Sequence, residues 1–160
     1  MLKTAILAIP ASLFAFIGGI SPISTHNGTT FVPGPRAAVA AEAGTVVASG
    51  DISGAGGRYQ GSGRAVIRRT VDGKLFLDLR DFRVTRGPDL KVWLVAHAGP
   101  RRGADVTGSR HISLGGLKRS SGGQSYLIPK GTDLAKYTSV VIWCEAFGVL
   151  FAGAPLGSGS

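Results

Sequence analysis

Arg64-Ala65-Val66-Ile67-Arg68-Arg69-Thr70-Val71, then Asp72-Gly73, then Lys74-Leu75-Phe76-Leu77-Asp78-Leu79-Arg80: this stretch decides the fold. In its second arm Leu75, Leu77 and Leu79 alternate with Phe76, Asp78 and Arg80. A side-chain period of two puts the leucines together on one face of a strand. Between the arms, Asp72-Gly73 is a two-residue hairpin signal, because glycine accepts the positive φ that such a turn demands. The stretch therefore reads as an antiparallel hairpin whose leucine face points inward.

Working outward, short β-type runs recur between turn signals. Val46 to Ile52 precedes the hairpin. After Phe82, Thr85-Arg86-Gly87-Pro88-Asp89 makes a turn, and Leu90 to Ala96 resumes as a strand with Leu90, Val92 and Leu94 on one face and His97 at its end. Gly99 to Gly108 reads as a surface loop. His111, Ile112 and Leu114 suggest a short strand, and Gln124 to Ile128 another, stopped by Pro129. Asp133 to Tyr137 fits one helical turn with Thr132 as its cap. The most hydrophobic run, Ser139 to Ala146, reads as a central strand covered on both faces, with Val140, Ile142, Cys144 and Ala146 facing one way and Val141, Trp143, Glu145 and Phe147 the other. Phe147 to Ala154 supplies the last strand. There is no internal repeat and no amphipathic helix of useful length. The expected architecture is all-β: an antiparallel β-sandwich or barrel-like single domain of short strands.

The length of 160 residues suits one such domain plus a short appendage, since a domain takes on the order of 100 to 150 residues. With 44% hydrophobic and 17% charged residues the chain is globular in composition, with enough apolar surface to offset chain entropy. The appendage is N-terminal. Lys3 precedes an apolar run from Ala5 to Ile20, interrupted by Pro10, Ser12 and Gly18-Gly19, in the order of a secretory signal. The run is shorter than a comfortable bilayer span, which favours a cleaved leader over an anchor formed by residues 4–20. The boundaries expected are a signal over 1–25, a linker over 26–44, the β domain over 45–156 and a loose tail over 157–160. The implied location is periplasmic or extracellular, with membrane contact only through an uncleaved leader.

A formal charge of +9 can attract nucleic acid or other polyanions. Export argues against nucleic acid, and the cations are scattered: Arg68-Arg69, Arg80, Arg83, Arg86, Arg101-Arg102, Arg110, Lys118-Arg119. They suit a solvated surface, or adhesion to an anionic envelope polymer. Serine-hydrolase chemistry lacks its Gly-x-Ser-x-Gly elbow, and Gly54 to Gly63 lacks the Lys-Ser or Lys-Thr of a phosphate loop.

Cys144 is the only cysteine, which excludes an internal disulfide, a cysteine-ligated cluster and a several-cysteine zinc site. Its position suggests a small buried hydrophobe. Yet an idle thiol in an exported protein is prone to oxidation, so it must be shielded, ligated or used. A blue-copper site would need histidines and usually a methionine, but no His follows Cys144 and the single Met is residue 1. No metal site is therefore expected. Haem could take Cys144 or a His as axial ligand without leaving a short motif. Thiol exchange would need a partner to supply the resolving sulfur.

Four pieces in order carry a family resemblance: Gly87-Pro88-Asp89-Leu90 with Val92-Trp93-Leu94; Leu114-Gly115-Gly116-Leu117-Lys118; Gly123-Gln124-Ser125-Tyr126-Leu127-Ile128-Pro129; and Tyr137-Thr138-Ser139-Val140-Val141-Ile142-Trp143-Cys144 with Phe147 and Phe151. From about Thr45 to Leu156 the chain resembles the DM thirteen domain, a family labelled electron transfer that also accompanies DOMON domains. The resemblance implies a β-rich extracytoplasmic module with Cys144 as redox group, either as a bare thiol or through a prosthetic group such as haem. Its partner would be a redox protein or a small electron carrier. The candidate cofactor-contacting set is Cys144, Trp143, Tyr59 and His111. Tyr59 stands where the family pattern often has a His, which weakens any mechanism pairing a ligand His with Cys144.

Overall fold

The computed structural model describes residues 44–159. The signal expected over 1–25 lies outside the described residues, as does all but the last residue of the linker. The strands are β1 (Gly44–Asp51), β2 (Ser53–Gly54), β3 (Gly61–Thr70), β4 (Leu75–Val84) and β5 (Leu90–Val95); after the short helix α1 (Gly103–Thr107) come β6 (His111–Gly116), β7 (Gln124–Ile128), β8 (Ser139–Cys144), β9 (Val149–Pro155) and β10 (Gly157–Ser158). They form two five-stranded sheets, β10-β1-β3-β4-β7 and β2-β9-β8-β5-β6, with every pairing antiparallel. The fold is the all-β sandwich that the alternation predicts.

The hairpin of β3 and β4 has the expected arms but a different turn. The strands stop at Thr70 and restart at Leu75. The Gly73 amide donates to the Thr70 carbonyl and the Thr70 amide to the Lys74 carbonyl, and only Gly73 is left-handed, at φ 79°. A three-residue loop results, in which a tight turn ends in a glycine bulge. A two-residue turn would have required a positive φ at Asp72 as well. Farther along the same pair, Gly63 at φ 121° forms a bulge where the register shifts between Ser62 and Arg64, and a Cβ there would lie 2.7 Å from the Arg80 carbonyl oxygen.

Between the sheets lies one core, which includes Ile67, Leu77, Leu79, Phe82, Val92, Leu94, Val140, Ile142 and Cys144. A second apolar layer covers the other face of the β8 sheet: Trp93, Val95, Val141, Trp143 and Leu150 pack with Val106 of α1. This explains the unbroken hydrophobicity of β8, in which all six residues are buried. The segment Gly99 to Gly108 is thus more than a surface loop. Its helix starts where the Asp105 carboxylate accepts hydrogen bonds from the Arg101 and Arg102 amides, both at 2.9 Å, and it presses Val106 onto the sheet.

Other boundaries differ locally. β8 ends at Cys144, and Glu145 to Gly148 turn back with Gly148 at φ 62°. The 3-10 turn Leu134–Lys136 is capped by Asp133, which accepts from the Ala135 amide, and not by Thr132, whose hydroxyl instead donates to the Pro129 carbonyl. Gly157 and Ser158, expected in a loose tail, pair with Ser49 and Ala48.

Candidate functional site

Strand β8 carries Cys144 at its C-terminal end, paired with Leu90 of β5 and Val149 of β9. The side chain faces the inter-sheet core and is 0% exposed. Its Sγ donates to the Pro88 carbonyl oxygen at 3.0 Å. Pro88 belongs to the Gly87-Pro88-Asp89 turn leading into β5, so this turn lies over the thiol. Several contacts hold the turn down. The Glu145 amide donates to the Asp89 carbonyl at 3.1 Å, and Lys91 Nζ reaches Asp89 at 2.7 Å and Glu145 at 3.5 Å. The Asp89 carboxylate, then desolvation acting in the opposite sense, set the Lys91 ammonium; the net result is a pKa above its ordinary value. Asp89 is left-handed at φ 49°, a conformation aspartate tolerates better than most residues. Gly87 is required by space: a Cβ would come within 2.7 Å of the Phe151 ring.

The four candidate residues divide between two layers. Tyr59 lies on the thiol's side of the sheet, its ring tilted by 40° against Phe151 at 4.4 Å, a member of the same inter-sheet core. Trp143 and His111 lie on the opposite face. Trp143 stacks on Trp93 at 5.4 Å, and Trp93 lies almost parallel to His111 at 4.0 Å and 6°. The strands make this line, since β8, β5 and β6 are neighbours and each contributes one ring on the outer face. The line ends at the exposed His111. Trp93, its middle member, is absent from the candidates the sequence suggests; the Val92-Trp93-Leu94 alternation places it opposite the inner face and was the available signal. Its indole Nε1 is buried without a hydrogen-bond partner, as is His97 Nδ1.

These placements decide what the site can hold. Haem ligation by Cys144 needs an open direction at sulfur and a flat apolar slot beside it. Instead the thiol hydrogen is directed to Pro88, the surroundings are close-packed core, and Trp143 and His111 lie on the far side of the sheet. The residues present do not fit the group. Among the described residues no cluster of three or more His, Cys, Asp or Glu side chains is placed to hold a metal ion.

Fold and site together define a two-sheet antiparallel module built around one buried thiol under a glycine-proline turn. The family model for electron transfer DM13 matches residues 55–156, and the chain belongs to that family. It is accordingly an electron-transfer-related module, which implies a redox partner. No curated protein and no solved structure matches the chain. The matched segment begins at Ala55, beyond β1 and β2, and takes in the turn, the outer aromatic line and the thiol.

Proposed function

We propose that this protein is an exported redox module whose active group is the bare Cys144 thiol, protected by the Gly87–Asp89 turn and exposed when that turn lifts. The observation that carries the reading is the Sγ hydrogen bond to Pro88. The sulfur sits at the end of its strand and its hydrogen bond is to the exposed turn, so lifting that three-residue segment would bring it to solvent. The chemistry is thiol–disulfide exchange with a partner protein. Cys144 loses its proton to solvent and attacks one sulfur of the partner's disulfide. A sulfur–sulfur bond forms to Cys144 while the partner's own bond breaks, and the departing thiolate takes up a proton. The chain has a single cysteine, so a second partner thiol must resolve the mixed disulfide and return Cys144 to its reduced state.

A glutathione titration tests this on the full chain. The expected result is a reversible glutathione adduct at Cys144, seen by mass, while the near-ultraviolet circular dichroism stays native. If the adduct forms only in denaturant, the reading fails.

A second reading is favoured by the complete burial of Cys144 within the inter-sheet core. In it the cysteine is packing, and the domain is a non-catalytic extracytoplasmic binding module whose scattered cations touch an anionic envelope polymer. Under this reading Cys144→Ala leaves ligand binding intact.

A further inference from the structure

We propose that the groove beside the Gly87–Asp89 turn docks the carboxylate-rich face of a redox partner protein. The groove holds about 430 Å³ and is lined by the turn and the segment 116–120, including Leu90, Leu117, Arg86, Lys118 and Arg119. The backbones on its two sides are joined, the Leu117 amide donating to the Leu90 carbonyl at 2.7 Å.

Its charge is one-sided. The single carboxylate lining it, Asp89, is already matched by Lys91 at 2.7 Å. Arg86, Lys118 and Arg119 form no ion pair with a carboxylate among the described residues, whereas the groove at the Asp72 end holds Lys74 paired to Asp72 at 2.6 Å. Two of these cations are held in place. Lys118 Nζ donates to the Ser125 carbonyl at 2.6 Å and lies 4.9 Å over the Tyr126 ring, while Arg119 donates to the Gly123 carbonyl at 2.8 Å. Lys118 and Arg119 are each fixed to a separate carbonyl, so they present separate positive points along the groove and do not converge as a clamp on a single anion. Spaced carboxylates on a protein surface fit that arrangement.

An apolar anchor lies on the neighbouring loop. Phe147 is 70% exposed in the β8–β9 turn, and that turn is joined to the Gly87–Asp89 turn by the Glu145 to Asp89 backbone bond. An exposed aromatic on a loop bonded to the turn that lines the groove adds an apolar contact of the kind enriched at protein interfaces. The placement is also functional. The groove is lined by Gly87 and Asp89, which flank the Pro88 whose carbonyl accepts from Cys144, so a partner seated there meets the thiol as the turn lifts. In this respect the proposal deepens the reading of Cys144 given above.

Two measurements on the full chain test it. First, an oligoglutamate peptide carrying a fluorophore is titrated into the wild type, Lys118→Glu/Arg119→Glu and Arg101→Glu, the last serving as a charge control away from the groove. Docking predicts binding that weakens roughly tenfold or more in the groove variant, much less in the control, and that falls as salt rises from about 0.05 to 0.3 M. Equal loss in both variants, or in neither, overturns the proposal. So does tighter binding of a sulfated polysaccharide to the same groove, because a polymer is then the occupant. Second, Cys144 is reacted with a dianionic aromatic disulfide and with a neutral one. The proposal predicts a preference for the anion that Lys118→Glu/Arg119→Glu removes. If neither disulfide reacts while groove-dependent peptide binding persists, the docking assignment stands and the thiol reading falls.

Discussion

At Cys144 the sulfur fills space between sheets as well as donating to Pro88. Cys144→Ala is expected to destabilise the domain by roughly 1–3 kcal/mol in urea unfolding, from the lost contacts and the small void. A loss near zero would show that the sulfur adds nothing to the packing of the core. The outer layer offers a complementary measurement. Trp93 carries an unpaired buried indole N–H that Phe would not, so Trp93→Phe should cost less than Trp143→Phe, by on the order of 1–3 kcal/mol, the penalty of an unsatisfied buried donor. Equal costs would mean that a water or partner satisfies the indole. The burial of Cys144 and its facing were legible in the sequence, since strand alternation sorts β8 into two sets and cysteine favours interiors. The hydrogen bond to Pro88 was not, because it joins residues 56 apart and depends on how a turn folds over the strand end. The stacking of Trp93 between His111 and Trp143 was hidden for the same reason: it requires the lateral order of three strands.

Elements decide how Cys144 and the outer aromatic layer are covered. Gly87→Ala would drive a Cβ to within 2.7 Å of the Phe151 ring, so the turn over Cys144 must shift. Thiol modification of the folded protein is expected to accelerate severalfold in this variant, as the opening equilibrium moves by roughly 1 kcal/mol. An unchanged rate would count against the proposed lift of this turn. Helix α1 responds to acid. The Arg101 and Arg102 amides hold the Asp105 carboxyl below its ordinary value of 3.8. Because the folded pKa is depressed, the carboxylate's contribution is fully present above the unfolded value and is lost as pH falls through the folded one. Gly103, at the start of α1, lies beside the Trp143 ring, so tryptophan emission should change as pH drops below about 4, and Asp105→Asn should remove that transition. Most strands were legible because their period of two survives any tertiary context. The helix was not: a five-residue segment is too short for periodicity, and its start depends on a carboxylate meeting two amides. The two-residue strands β2 and β10 were equally silent, being formed by pairing alone.

Across the whole molecule, packing is unequal. The β8 sheet is covered on both faces, by the inter-sheet core and by the layer that includes Val106. The other sheet presents a polar outer face, with Arg68 bonded to Asp78 at 2.6 Å and Arg64 to Asp51 at 3.0 Å. Amide exchange should therefore be slowest in β5 and β8 and faster in β1, β7 and β10, as followed by mass spectrometry. Uniform protection would indicate that the outer layer adds nothing to cooperativity. The doubly covered strand also constrains how this chain can change. In a sheet wet on one side, a slip by one residue turns a single apolar row to solvent and the partner row inward. In β8 both rows are committed to different neighbours: small aliphatics and a sulfur between the sheets, an indole against the helix. Any insertion there would exchange the contents of two cores at once, so length variation between relatives should accumulate in the flanking turns and leave these six positions aligned without gaps.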